Sequence, residues 1–568
     1  MESLKENLNW HPKAHTPLNI LIIGAGITGL TSALALSLTG HRVTIYEAAN
    51  CLTEIGAGLQ IAPNASRILA RLGILGDVME KANVLEGLSL RRWKDDSEIG
   101  TAPLMPVVGE KYGAPLCVIH RGDLQTILLQ ALASLPIPIE IYLGKRVIAI
   151  HPNFGASIKL ESGELVSGDI LICADGVKSS MRQYFLSPAS QSNSDAKRRG
   201  SFRSVSSAFQ KSCTGIDGDD RFETYRWRQT SNEPPRPVNG GGRGHEARNR
   251  DNKARPMSTG DAAYRVLIPR SQLVGDQRAL ELLNSNVGMR WMGPGGHIMA
   301  YPIRNNEMYN VVLLHPQKKQ GCQVNGGDDQ SWTRKGSKKE MLEWYAGWND
   351  TVKSLLSYVP DGDVAEWNLY SHPPLPTWVN GKCVLVGDAA HPMLPYVAQG
   401  AAQGIEDAGA LACVLSKLDS VDQIESALNV FQAVRKERAE KIQSSATATR
   451  RALHLPDGEE QRVRDQKMRG AGKPRANGRD NRATEAKNGR NPDLWADEQW
   501  QQYMWGVDVM REALEGWEAI AVSARLEKLA TTSLIVLKAL GSIGSHGDFN
   551  DQATYSTLVD CEVQGARS

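Results

Sequence analysis

The sequence contains no apolar run long enough to cross a membrane. A transmembrane helix needs about 20 consecutive apolar residues, and the best candidate stretch, 18–36, is interrupted by glycines and threonines. Residues 1–17 carry charges and prolines and lack the apolar core of a secretory signal. We therefore predict a cytoplasmic protein with no integral membrane segment.

An excess of charge is also missing. The 65 Lys and Arg residues nearly balance the 63 Asp and Glu residues, which leaves a net charge of +2. A basic surface for nucleic acid is therefore not predicted. The eight cysteines show no metal-ligand spacing, so no metal site is predicted and reduced thiols are expected.

Apolar residues are scarce in two internal stretches. Residues 187–256 are crowded with Ser, Arg, Lys, Asn, Gly and Pro, and residues 451–491 are polar and basic. Such compositions bury too little apolar surface to offset the entropy lost on ordering. We predict a disordered insertion in the first stretch and a linker in the second. Two alternatives for this stretch remain open: it is not normally kept in the mature messenger RNA, or it forms a basic interaction loop.

The rest of the chain has enough apolar material for two domains and a C-terminal addition. The 568 residues exceed the length of one ordinary domain, and 41% of them are hydrophobic. An aromatic group around Trp500 predicts that 492–530 is a helical segment packed on the main body. Residues 1–17 are assigned to an N-terminal extension, and 531–568 to a tail of uncertain structure.

The first motif is a glycine-rich turn after the apolar strand Asn19–Ile23. Gly24, Gly26 and Gly29 form a G-x-G-x-x-G pattern, and Glu47 ends the next predicted strand. The glycines allow a tight turn, close approach to a pyrophosphate, and close packing of helix on strand. Glu47 is placed to accept hydrogen bonds from ribose hydroxyls. The pattern predicts dinucleotide binding; a glycine-rich turn in another βαβ unit would leave Glu47 unexplained.

The second motif follows another buried strand. Residues 170–173 are apolar throughout, and Asp175 and Gly176 come directly after them. Taken alone, an Asp-Gly pair after a strand usually indicates only a turn. Its meaning therefore depends on the motifs around it.

The third motif is the most informative. Residues 383–386 predict a buried strand, Asp388 lies in the acidic turn after it, Pro395 lies in a Pro/Gly loop, and a helix begins near Gly400 and Ala401. The loop lets backbone N–H groups approach a flat or anionic ligand closely. The helix directs its positive end toward that ligand. This arrangement suits the polar edge of a flavin, although it is also compatible with simple fold chemistry.

Together and in this order, the three motifs resemble those of FAD-dependent aromatic-ring monooxygenases, the class A flavoprotein hydroxylases, with a plan similar to salicylate hydroxylases. The resemblance covers about 18–186 and 257–450. It implies an α/β fold with a Rossmann-like FAD-binding domain of the three-layer glutathione reductase type and an antiparallel β-sheet substrate domain. The FAD-binding domain would comprise 18–186 and 376–450, and the substrate domain 257–375.

The resemblance also implies further cofactor contacts. Asp175 and Gly176 would meet the FAD pyrophosphate, and the loop containing Gly58 would approach the flavin. Arg121 matches an arginine that contacts FAD in the family, and a guanidinium is a good partner for phosphate or a flavin carbonyl. For Gly58 a simple helix entry, and for Arg121 a surface position, remain the alternatives.

The reaction implied by the resemblance is aromatic hydroxylation. NADH or NADPH would reduce FAD, the reduced flavin would react with O2 to give a C4a-hydroperoxide, and the terminal oxygen would enter a small phenolic or aromatic acid substrate. A flavin-dependent oxidoreductase of the same fold that inserts no oxygen, and a non-catalytic scaffold, are the alternatives.

Three residues are candidates for catalysis. Several salicylate hydroxylases carry a histidine after the loop proline, but this chain has Tyr396 there. Since tyrosine is a weak base unless its pKa is strongly lowered, salicylate is in doubt as the substrate. His297 and Tyr301 lie on one face of a predicted strand and either point into the pocket or are buried or surface residues of a half-covered sheet. His391 is expected to be structural.

Overall fold

A computed structural model describes residues 12–52, 57–186, 256–317, 333–362, 364–471 and 491–522. The predictions for 187–255 and 531–568 lie outside the described residues. The described residues up to Gly516 belong to one compact unit, and of a second unit, which begins at Trp517, only helical residues 517–522 are described. No helix in this part of the chain is both long and apolar enough to cross a membrane.

The strands of the described residues form four sheets. In chain order they are β1 (Asn19–Ile23), β2 (Arg42–Tyr46), β3 (Gly58–Ile61), β4 (Gly87–Arg92), β5 (Glu98–Pro103), β6 (Cys117–His120), β7 (Glu140–Tyr142), β8 (Val147–Ile150), β9 (Ser157–Leu160), β10 (Leu165–Ser167), β11 (Ile170–Cys173), β12 (Met257–Pro269), β13 (Val287–Gly293), β14 (Gly296–Ile303), β15 (Met308–Pro316), β16 (Thr333–Lys335), β17 (Ala365–Ser371), β18 (Val379–Asn380) and β19 (Cys383–Leu385).

Helices cover and connect these sheets. In chain order the α-helices are α1 (Ile27–Thr39), α2 (Pro63–Arg71), α3 (Leu75–Lys81), α4 (Val107–Tyr112), α5 (Arg121–Ala133), α6 (Arg270–Leu273), α7 (Gln277–Asn284), α8 (Lys338–Trp344), α9 (Asp350–Ser357), α10 (Gly400–Ser416), α11 (Ile424–Leu453), α12 (Glu459–Ala471) and α13 (Glu498–Gln501). Short 3₁₀ turns span Arg182–Phe185, Gly387–Ala389, Pro395–Val397 and Val421–Gln423, and a π-helical turn spans Gln502–Gly506.

The first sheet brings the ends of three motif strands together. Its order is β18-β19-β11-β1-β2-β7, and all pairs are parallel except β18 with β19. Ile23 pairs with Cys173, and Cys173 pairs with Leu385. The loops that follow β1, β11 and β19 therefore leave the same edge side by side. This is the edge at which open α/β sheets bind their ligands.

The second sheet contains the strands of 257–375, the range predicted for the substrate domain. Its order is β16-β17-β12-β15-β14-β13-β4-β5, and neighbouring strands are antiparallel except for the parallel pair β13 and β4. Strands β4 and β5 come from 18–186, the range assigned to the first part of the FAD-binding domain. The sequence-based boundaries did not reveal this crossing, because strand pairing between distant segments leaves no local signal.

The linker predicted for 451–491 is wrong for its first half. Helix α12 occupies Glu459–Ala471 and packs on β5. It buries Gln461, Arg464 and Met468, which recur at helical spacing. Because this buried face contains a single apolar residue among polar and charged ones, composition alone did not indicate a folded helix. Residues 472–490 lie outside the described part.

The predicted aromatic segment after 491 is ordered as far as it is described. Trp495, Trp500 and Trp505 are buried, and Trp495 and Trp505 join the core that contains Tyr396 and Val397. Tertiary packing therefore accounts for the tryptophans. The regular structure is interrupted, because α13 is followed by one π-helical turn and the chain becomes helical again only at 509.

Candidate functional site

The first two motifs touch through their backbones. Gly24 has a φ of +99°, which disfavours any side chain, and a Cβ there would overlap the Ala174 carbonyl oxygen. The same Cβ would lie 3.3 Å from the Cα of Asp175. The close approach of these loops therefore requires glycine at this position.

The third motif meets the first around Thr28. A Cβ at Gly387 would lie 2.5 Å from Thr28 Oγ1, and a Cβ at Gly404 would overlap the same atom. Gly387 itself has a φ of +57°. Helices α1 and α10 therefore pack closely where Thr28 faces Gly404, which brings their N-termini side by side. The space in front of these two N-termini and the loops after β1, β11 and β19 is called the groove.

Both helix N-termini are free to bind an anion. The N-cap residues Gly26 and Gln399 make no side-chain capping bond, and neither helix has an acidic residue in its first turn. A Cβ at Gly26 would meet no atom within 4 Å, so the cradle in front of α1 is open. The unpaired N–H groups and the helix dipoles favour negative charge. These features fit the pyrophosphate and the polar ring edge of FAD.

Glu47 is held beside the first loop. Its Oε2 accepts from the Ala25 amide and its Oε1 from the Ala49 amide, both at 2.8 Å. The carboxylate therefore reaches the glycine turn from β2, as the motif predicts. A contact of Glu47 with a ribose hydroxyl stays a prediction.

Arg182 connects the second and third motifs and was not among the predicted site residues. It is buried, and its Nη2 donates to the Ala390 carbonyl at 2.8 Å. Burial lowers its pKa to about 10. Asp175 accepts from the Met181 amide at 3.3 Å, while its Oδ1 has no hydrogen-bond partner among the described residues. Burial raises the pKa of Asp175.

Asp388 projects into the groove. Its side chain is open to solvent there, yet protein atoms surround it closely enough that desolvation raises its pKa, against the lowering effect of His391, Arg121 and Arg182. Arg121 begins α5, and its amide donates to Ala57 at 3.0 Å beside the Gly58 loop. Asp388 and Arg121, both predicted site residues, are therefore near enough to interact electrostatically.

The second sheet contributes a cation, Arg265, to this groove. Arg265, Val312 and Met299 lie side by side in register on β12, β15 and β14, and all three are only half-buried. Arg265 Nε is buried without a hydrogen-bond partner in the described part of the chain, and the guanidinium lies 5.6 Å from the centre of the Trp367 ring. Burial lowers the pKa of Arg265, which interacts with Tyr301, Arg121 and Asp388.

Arg265 was missed by the sequence reasoning. A signal was present, because residues 261–267 alternate between the two faces of a strand and Arg265 is a cation on the same face as Ala263 and Leu267. Tyr301 lies on the same sheet face and contacts the Gly58 loop: a Cβ at Gly58 would lie 2.7 Å from its ring. Gly58 also donates to Asn310 Oδ1 at 2.7 Å.

Known proteins match the same combination of loops and sheet. Residues 17–223 and 363–446 match a family described as FAD binding domain. FAD-dependent monooxygenase atnJ of Arthrinium sp. is 34% identical over 455 residues, which cover 80% of this chain and 89% of that protein. The chain belongs to the FAD-dependent monooxygenases. The 3-hydroxybenzoate 6-hydroxylase 1 of Aquipseudomonas alcaligenes is 30% identical over 431 residues, 75% of this chain and 87% of that protein.

Solved monooxygenase structures share the fold. A salicylate hydroxylase in a substrate complex has 25% identity and a TM-score of 0.59, and the match covers 89% of this chain and 98% of that one. CtdE in complex with FAD and a substrate has a TM-score of 0.63 at 18% identity, over 89% of this chain and all of that chain. FAD is therefore the cofactor that the glycine loops and free helix N-termini of this monooxygenase fit.

Tyr396 is not poised as a base in the monooxygenase. Its hydroxyl donates to Asp261, whose other oxygen lies 2.5 Å from Arg450 Nη2. Burial and the Asp261 charge raise the pKa of Tyr396. A general base would need the opposite shift. The geometry instead makes Tyr396 an anchor between the turn Pro395–Val397 and β12.

His297 and Tyr301 share a sheet face, as predicted, but they belong to different neighbourhoods. They are about 13 Å apart along the strand at 3.3 Å per residue. His297 Nδ1 lies 2.8 Å from His454 Nε2, and its ring centre lies 5.8 Å from that of Tyr396. Burial lowers the pKa of His297 well below its usual value and that of His454 to about 4. Both rings are therefore neutral at pH 7.

A buried ionic cluster holds the third motif from behind. Asp407 accepts from the Gly387 amide at 2.8 Å, from Arg435 Nε at 2.9 Å, and pairs with His391 Nε2 at 2.7 Å. Burial opposes ionisation, but His391 and Arg435 lower the pKa of Asp407. His391 thus supports the turn at Gly387, as the sequence suggested.

Proposed function

We propose that this monooxygenase hydroxylates a small aromatic substrate that carries a phenolate or carboxylate, with NADH or NADPH as electron donor. The observation that supports this best is the half-buried Arg265, whose Nε has no hydrogen-bond partner in the described residues, on the sheet face opposite the FAD loops. Relatives named for 3-hydroxybenzoate and salicylate act on aromatic acids of this kind.

The overall reaction balances with one molecule of O2. Two electrons from the nicotinamide and two from the aromatic ring reduce O2, so that one oxygen atom enters the ring as hydroxyl and the other leaves as water. When bound, FAD supplies the hydride acceptance and oxygen activation that no amino-acid side chain provides.

The cofactor is assigned to the converging loops. Gly24, Gly26 and Gly29 would place the pyrophosphate before α1, with Glu47 on the ribose. The second motif would complete this part of the site. Its residues are Asp175 and Gly176.

The polar edge of the ring system is assigned to the third motif. Pro395, Gly400 and Ala401 would contact the isoalloxazine, where the N-terminus of α10 favours negative charge on its polar edge. Gly58 and Arg121 would approach from the opposite loop, and Asp388 would meet the ribityl hydroxyls. In this proposal, a variant of these residues leaves FAD binding unchanged only if it preserves the backbone geometry of the loops.

The substrate is assigned to the sheet face beneath. Arg265 would pair with the anionic oxygen, Val312 and Met299 would contact the apolar ring, and Tyr301 would close the side next to Gly58. A cation beside a phenol lowers the phenol pKa and so favours the electron-rich phenolate without a dedicated base. Tyr396 and the neutral His297 would then orient the pocket and exclude water rather than transfer the proton.

The absorption spectrum of the purified protein and its turnover test this proposal together. We expect flavin absorption bands in the blue region of the spectrum. We also expect a panel of phenolic acids to stimulate NADH or NADPH oxidation, and a product that gains one oxygen atom from ¹⁸O2. A flavoprotein that oxidises the donor and forms no oxygenated product with any member of the panel would refute hydroxylation. Absence of the flavin bands after incubation with FAD would refute the cofactor assignment itself.

A cytoplasmic location is also proposed. The four buried cysteines of the described residues, Cys117, Cys173, Cys383 and Cys413, are free thiols. Thiols in this state fit a reducing compartment. Localisation of a fluorescent fusion would test this.

A further inference from the structure

The C-terminal segment reaches the loop assigned to the flavin ring. The indole Nε1 of Trp495 donates to the Val397 carbonyl at 3.2 Å, and Trp495 is only 2% exposed. Val397 ends the turn Pro395–Val397, three residues before α10 begins at Gly400. A residue about 100 positions away in the chain therefore holds the backbone of this loop.

The indole is itself held by the substrate sheet. Asp493 accepts from the Trp495 amide at 3.1 Å and pairs with Arg290 of β13, with both carboxylate oxygens 3.2 Å from Arg290 Nη1. The Arg290 guanidinium also lies 5.7 Å from the centre of the Trp495 ring. Arg290 and Asp493 are both buried, so this ion pair keeps the ring in one place.

The loop requires such support. Ala398, directly after Val397, has a φ of +51°, in the left-handed region that non-glycine residues rarely adopt. A residue in this conformation persists only when the surrounding structure holds it. The Val397 carbonyl and the Ala398 amide belong to the same peptide plane, so a hydrogen bond to the carbonyl fixes the orientation of that plane.

We propose that Trp495 is a positioning residue for the flavin: its N–H group fixes the Val397–Ala398 peptide and, through it, the loop that leads into α10. This inference rests on the proposed function in one respect, the assignment of this loop to the isoalloxazine. Trp495 does not itself touch the cofactor or the substrate in this scheme.

Two tryptophan variants separate the hydrogen bond from the bulk of the ring. Trp495→Phe removes the N–H donor, whereas Trp505→Phe is the matched control because the buried Trp505 Nε1 has no hydrogen-bond partner among the described residues. FAD would be titrated into each full-length apo-protein by flavin fluorescence, and the flavin absorption envelope recorded at saturation. We expect W495F to bind FAD about three- to tenfold more weakly than W505F, as for the loss of one buried hydrogen bond, and to show an altered envelope.

A shape-preserving replacement covers the case in which W495F does not fold. Incorporation of 3-benzothienylalanine at Trp495 exchanges the indole N–H for sulfur while retaining the ring, and it should reproduce the weaker binding. Equal FAD affinities and spectra for W495F, the benzothienyl protein and W505F would overturn the inference. A wild-type protein that does not bind FAD would instead refute the proposed function, so the two failures are distinguishable.

Discussion

The close packing of α1 on α10 leads to a quantitative prediction for Gly404→Ala. The new methyl group would overlap Thr28 Oγ1 and lie 3.2 Å from Thr28 Cβ, so the helices must move apart. Overpacking of this kind costs about 1–3 kcal/mol. Alanine returns about 1 kcal/mol through its higher helix propensity. The overpacking cost is therefore measured against a second Gly→Ala variant in the same helix, which gains the same helix propensity.

Gly409→Ala provides that control. It lies in α10 and gains the same propensity, but the atoms that a Cβ would meet belong to the side chains of Met510 and Ile68, the nearer of which is a flexible methionine. We therefore expect the unfolding free energy of apo G404A to lie about 1–3 kcal/mol below that of apo G409A, measured by urea denaturation. FAD affinity should fall for G404A as well, because the displaced helix N-termini are those assigned to the cofactor.

A second substitution tests the cause. Thr28→Ala removes the atoms that would overlap, so the G404A/T28A protein should recover most of the loss in a double-mutant cycle, with a coupling of about 1 kcal/mol or more. If G404A is as stable as G409A, or if T28A gives no recovery, the helices are not in the close contact described and the reasoning fails.

Three further predictions concern the pocket. Arg265→Met should raise the substrate KM about 10- to 100-fold, as for the loss of a charge-assisted bond, with FAD affinity unchanged and R265K intermediate; an unchanged KM in steady-state assays would remove Arg265 from the substrate site. Tyr396→Phe should lower the unfolding free energy by about 1–2 kcal/mol through the loss of its bond to Asp261 and leave kcat within about threefold, whereas a loss near 100-fold would identify Tyr396 as the base. For His454 the folded-state pKa of about 4 lies below the unfolded value, so the unfolded chain binds more protons between these two values. The unfolding free energy should therefore fall as the pH decreases from about 6.5 to 4, by about 1.4 kcal/mol per pH unit for this group. Urea titrations of wild type and His454→Gln across that window should differ in slope, and identical slopes would contradict the neutral buried pair with His297.

Local sequence signals predicted the loops to which the cofactor is assigned. Gly24, Glu47 and Asp388 were identified because tight turns, helix starts and acidic strand ends require particular residue types at fixed spacings. These features depend on neighbours within a few tens of residues, which a single sequence displays.

The residues proposed here for the substrate side were harder to identify from the sequence. Arg265 becomes a candidate for substrate binding only when the pairing of β12, β15 and β14 places it beside Val312 and Met299. Tyr396 looked like a catalytic replacement for histidine, but its role depends on Asp261, 135 residues away along the chain. Helix α12 was missed because its buried face is largely polar and finds its partners in β5.

By itself, the sequence determined the family-defining loops, the alternation of β and α segments, and the cofactor, because each depends on backbone conformations that only certain residues tolerate. Only the tertiary structure decided which charges are paired, which face the groove, and how Trp495 reaches the loop before α10. Those properties arise from contacts between distant segments and from the removal of water around them, and neither is encoded in the order of neighbouring residues.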